Sequence, residues 1–124
     1  HLGTLALDRG ETAAARRWFV DCLTRQWSSG EGTWLHASLA DFACLAEVTR
    51  QPERTLRLAG AVSARCAQIG AVLQPTERRR FDRCLAAARD ALSEAVAAAA
   101  WEAGTAMPLE RAIAMALEES EAAH

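Results

Sequence analysis

Apolar residues recur at helical spacing along most of this 124-residue chain. Ala15, Phe19, Cys22 and Leu23 follow i, i+4, i+7, i+8, and Leu35, Leu39, Phe42 and Ala46 form a second stripe. Leu58, Val62, Cys66 and Ile69 form a third, and Phe81, Leu85, Ala88 and Leu92 a fourth. Such spacing lines one face of an α-helix, whereas a strand would alternate at period two, and no segment does so. The pattern predicts an all-α chain with helices over about residues 2–8, 12–27, 33–50, 53–72, 75–103 and 109–119. Gly10 suits a left-handed cap in the turn Arg9-Gly10-Glu11. Ser28-Ser29-Gly30-Glu31-Gly32 is the clearest loop. Thr33 is placed to cap the helix that follows it, Pro52 and Pro75 fit first turns, and Gly104 and Pro108 bracket the last break. Ser93 is able to cap a fresh helix, so residues 75–103 form either one long helix or two with a kink near Leu92. The polar tail, Glu118 to His124, is expected to fray.

Composition sharpens this picture. Alanine, the best helix former, dominates, tyrosine is absent, and Gly and Pro are confined to a few places. Long helices packed through small side chains are therefore expected. The formal net charge of −2 disfavours nucleic-acid binding. The one basic run, Arg78-Arg79-Arg80, is flanked by Glu77 and Asp82 and reads as the solvated face of a helix. Cys22, Cys44, Cys66 and Cys84 lack zinc-site spacing and are read as buried free thiols of a cytoplasmic protein, disulfides being the disfavoured alternative. No apolar run is long enough to cross a membrane. The chain starts without Met, inside what reads as a helix, and is taken as a fragment of a longer protein.

Two helix-turn-helix units overlay within residues 1–72. In the first, Leu2-Gly3, Gly10, Ala15 and Phe19 stand where a tetratricopeptide repeat has its Leu-Gly pair, turn glycine and Ala-x3-Phe. In the second, Ala43-Cys44, Gln51, Leu56 and Gly60 are aligned with those positions. The overlay predicts antiparallel hairpins stacked as a short right-handed superhelix, with residues 73–120 as a C-terminal helical cap. The chain also resembles the C-terminal region of bacterial signal-transduction ATPases, including LuxR-type transcriptional regulators. The likeness rests on Leu2–Gly10 with Ala13-Ala14-Ala15-Arg16, and on Gln51-Pro52-Glu53-Arg54 with Leu58-Ala59-Gly60-Ala61. It continues in Pro75-Thr76-Glu77-Arg78 with Ala88-Arg89, and in Ala100-Trp101-Glu102-Ala103-Gly104 with Met107-Pro108-Leu109-Glu110-Arg111-Ala112. The resemblance implies a repeat module that senses a protein or small-molecule effector and acts on the other domains of its parent chain.

No catalytic, cofactor or metal constellation is legible. His1, His36 and His124 lack a neighbouring nucleophile or second ligand, and Gly30-x-Gly32 lacks the rest of a phosphate loop. Repeat arrays present the first helix of each unit on the concave face. That nominates Thr4 and Asp8 in the first unit and Asp41, Leu45 and Thr49 in the second. The tryptophans Trp18, Trp27, Trp34 and Trp101 read mainly as packing between alanine-rich helices. Trp34, beside the glycine loop, is kept as a contact candidate. A homodimerising or capping scaffold through Ala95–Ala100 is the competing reading.

Overall fold

The computed structural model describes residues 2–30 and 32–118, with the side chains of Leu2 and Thr4 outside that description. Seven helices occur among these residues, and no strand. They are α1 (Leu2–Asp8), α2 (Thr12–Ser28), α3 (Leu35–Val48), α4 (Pro52–Ile69), α5 (Pro75–Asp90), α6 (Glu94–Thr105) and α7 (Leu109–Leu117). None is long and apolar enough to cross a membrane. The tail from Glu119 on, expected to fray, lies outside the described residues.

Local signals explain most boundaries. Gly10 takes φ +77°, and the amides of Gly10 and Glu11 donate to the carbonyls of Leu7 (3.0 Å) and Ala6 (2.9 Å), closing α1 with a left-handed cap. Gly70, at φ 66°, does the same for α4. Gln74 caps α5 in a reciprocal capping box with Glu77. The segment after Pro75 is two helices: α5 stops at Asp90, and the Ser93 hydroxyl accepts from the Val96 amide (3.2 Å) to start α6. Thr33 does not cap α3; Trp34 occupies that position without a side-chain bond.

The repeat register differs from the expected one. After α3 the left-handed residue is Arg50 (φ 61°), not Gln51. The amides of Arg50 and Gln51 donate to Glu47 (2.9 Å) and Ala46 (2.8 Å), the bonding seen at Gly10 and Glu11. The two turns share this bonding at a step of 40 residues, one fewer than the sequence overlay used. Phe42-Ala43 then corresponds to Leu2-Gly3, and Thr55 and Ala59 to Ala15 and Phe19. Thr55 and Ala59 are fully buried, and the Thr55 hydroxyl satisfies itself on the Gln51 carbonyl (3.1 Å). A step of 40 is also longer than the tetratricopeptide period of about 34 residues.

One core runs through all seven helices, with Phe19, Leu23, Leu35, Leu39, Leu56, Leu58 and Ile113 at or below 2% exposure. In α1–α2 the close approach expected at Gly3 is present: a Cβ there would lie 2.8 Å from Phe19 Cδ1. Phe19 meets Phe42 across α2–α3 with ring centroids 5.9 Å apart. α4 is central, packed between α3 and α6 and touched by α5 and α7. α6 lies along α4 and only brushes α5, so the final helices do not pair as a third hairpin. Two glycines permit this crossing: Gly60 faces the α6 backbone at Trp101 and Thr105, and Gly104 faces the α4 backbone at Arg57. Arginines fasten α7: Arg16 donates to the Leu117 carbonyl (2.9 Å), and Arg54 to those of Met115 and Glu118. These carbonyls lie at a helix end, where intrahelical donors run out.

Candidate functional site

Residues of α1, α3 and α5 line an open cleft of about 330 Å³. Its walls repeat at the 40-residue step: Leu7, Glu47 and Ala87; Asp8 and Val48; Cys44 and Cys84. Arg80 and Arg83 of α5 complete the rim. A second cleft of about 540 Å³ shares Glu47, Val48 and Ala87 and extends the groove toward Arg50, Pro52 and Ala91. A larger depression of about 780 Å³ runs along α2, with Leu117 of α7 as its one lining residue from another element.

Charge is concentrated at one end of the groove. Arg80 donates through Nη2 to both oxygens of Asp8 (3.1 and 2.9 Å), joining α5 to α1. Its side chain is only 18% exposed, so the third arginine of the basic run is a packed ion-pair member rather than part of a solvated face. Arg78 does sit outward, paired with Asp82 (3.2 Å). Asp41, a turn before Cys44 on α3, is partly buried. Its carboxyl is pushed up to about 7, chiefly by burial and next by repulsion from Glu77, with Arg80 opposing both.

Beside these charges two thiols line the cleft. Cys44 on α3 is 3% exposed, while Cys84 on α5 is half-buried. Interaction with Cys84, reinforced by burial, drives the Cys44 thiol well above the usual range. Interaction with Cys44 holds Cys84 below it, with help from Arg83 and Arg80, while burial and Glu47 pull the other way.

The nominated residues divide between groove and core. Asp8 lines the cleft, and Asp41 adjoins it through Arg80. Leu45 is 6% exposed, in the core. Thr49 bonds its hydroxyl back to the carbonyls of Leu45 (3.0 Å) and Ala46 (3.2 Å) and accepts from Gln51 (2.7 Å). The one-residue register difference accounts for both: at the observed step, Cys44 and Val48, not Leu45 and Thr49, correspond to Thr4 and Asp8. The Thr4 side chain lies outside the described residues. Trp34 is 52% exposed and stacks on buried His36, with centroids 6.4 Å apart, away from the groove-lining set. Trp18 and Trp27 are also exposed, at 46% and 42%, so they do not plug interhelix gaps as expected. Only Trp101 packs against the core, beneath the Arg89 guanidinium at 5.3 Å. The Cys44–Cys84 pair was not legible as a pair, because a 40-residue separation falls in no motif. No group of three or more potential metal ligands occurs among the described residues.

Comparison with protein-family models, curated proteins and solved structures finds no significant match.

Proposed function

We propose that this chain is a non-catalytic interaction module, the helical-repeat part of a larger bacterial regulatory protein, and that it engages a partner segment in the α1–α3–α5 groove. One observation supports this reading above others: three helices far apart in sequence contribute side chains to one continuous cleft. Its mixed lining, with Leu7 and Val48 beside Glu47 and Arg83, suits an extended peptide bearing both apolar and charged side chains. Binding there shifts the parent protein between states only insofar as the groove differs between them. The resemblance to signal-transduction ATPases supplies the regulatory context, and with it a cytoplasmic setting.

Panning the protein against a displayed library of linear peptides tests the proposal. Selected peptides should lose binding to the double variant Glu47→Lys/Arg83→Glu and keep it with Arg79→Glu, which is exposed outside the groove. Peptides that bind both variants alike would overturn it.

A second reading has its own observation. The outer face of α6 exposes Val96 at 40%, together with Ala95, Ala98 and Ala99. A homodimerising scaffold would use that face. A tight dimer in sedimentation, dissolved by Val96→Lys, would favour it over the interaction module.

A further inference from the structure

We propose that the α1–α3–α5 groove selects acidic segments, with Arg83 and Arg50 holding carboxylates on either side of an apolar residue seated between them. This rests on the groove being the contact surface and adds the sign of the charge that the partner carries.

The chain as a whole is net acidic, at −2. Its groove is not. The two clefts are lined by the arginines Arg50, Arg80 and Arg83 and by the carboxylates Asp8 and Glu47. Arg80 and Asp8 neutralise each other through the ion pair between α5 and α1. Arg50, Arg83 and Glu47 remain, and among the described residues none of these three side chains enters an ion pair. Two uncompensated cations therefore face one anion.

The order of these charges follows from the lining. Both clefts share Glu47, Val48 and Ala87, whereas Arg83 lines only the first and Arg50 only the second. The wall runs from a cation, through exposed Val48 and Ala87 with half-buried Glu47, to a second cation. A complementary segment carries an acidic residue toward each end and an apolar side chain over Val48 and Ala87. An acidic side chain over Glu47 would be repelled. Both arginines are exposed, so a carboxylate reaches their forked donors from solvent.

Arg50 carries a separate sign of use. It holds φ 61° where Gly10, at the same place in the turn forty residues earlier, takes φ 77° without a side-chain penalty. Strain of this kind persists where the side chain has a task. What glycine would lack here is the guanidinium that lines the second cleft.

The test pans the folded chain against a displayed library of linear peptides and measures the selected ones by fluorescence polarisation. Groove binders are those lost in the double variant Glu47→Lys/Arg83→Glu. They should be net acidic, with Asp or Glu on both sides of an apolar residue, and should weaken as salt is raised. Arg83→Gln and Arg50→Gly should each cost about two- to fivefold in affinity, the latter without loss of thermal stability. Arg79→Gln, exposed outside the groove, should leave affinity unchanged. A pool selected afresh on Arg83→Glu should shift toward Lys and Arg. Groove binders that are neutral or net basic would overturn the charge assignment and leave the groove reading standing. So would an unshifted pool on Arg83→Glu, or a loss in Arg79→Gln equal to that in Arg83→Gln, the mark of diffuse attraction. A pool with no groove-dependent peptide would sink both. The Arg83 variants decide the matter even if Arg50→Gly fails to fold.

Discussion

Replacing Gly104 by alanine sets two effects against each other. In an exposed helix the change should stabilise by about 1 kcal/mol, because alanine has the higher helix propensity. Here an added Cβ would fall 2.8 Å from the Arg57 carbonyl carbon, 3.0 Å from its Cα, and closer still to its oxygen. The obstacle is backbone, not the end of a flexible side chain, so the clash is relieved only by moving α6 off α4. Ordinary van der Waals contact begins near about 3.5 Å, so the helices must part by roughly 1 Å or more. That loosens the most extensive interhelix contact in the fold, around buried Ala97, Ala100 and Val62. Overpacking of this kind costs about 1–3 kcal/mol, toward the upper end when backbone must yield. The net expectation is a loss of roughly 1–2 kcal/mol. Urea unfolding followed by circular dichroism at the helix band measures it. Gly60→Ala should behave alike, and the double variant should lose less than the sum, since a gap opened once serves both. A Gly104→Ala protein as stable as wild type, or more so, would refute the packing argument.

Two further outcomes follow from the groove and the turn before α4. Asp41 titrates near 7 when folded and near 3.8 as a free side chain, so folding holds a proton that the unfolded chain releases between those values. Its contribution to stability therefore falls as pH rises from about 4 to about 7. Asp41→Asn should match wild type near pH 4 and exceed it at pH 8 by up to about 4 kcal/mol; a difference independent of pH in paired denaturation curves would contradict this. Arg50 holds a left-handed conformation at φ 61° without glycine's freedom. Arg50→Gly should raise stability by about 0.5–1 kcal/mol, visible as a higher thermal midpoint, whereas a lower midpoint would count against the strain argument.

Helix content was readable because it depends on spacing within about four residues. Helices α1 and α2 begin where the pattern placed them, since Gly10 and the stripe Ala15, Phe19, Leu23 are local signals. The break near Leu92 was readable only as an option. Ser93 favours it, the surrounding alanines favour continuity, and the crossing of α6 over α4 through Gly60 and Gly104 accompanies the broken form. The register of the second unit was not readable, because its left-handed residue is an arginine, which carries no such signal.

The candidate site divides along the same line. By itself the amino-acid sequence determined that the chain is helical and where most turns fall. Periodicity and turn chemistry are properties of neighbours along the chain. Tertiary structure alone decided that α6 joins α4 rather than α5, that Arg80 reaches Asp8, and that Cys44 and Cys84 line one cleft. Those pairings depend on how helices slide and rotate against one another, and a shift of one residue turns each side chain by about 100°. That rotation is enough to place Leu45 in the core and Cys44 on the cleft wall.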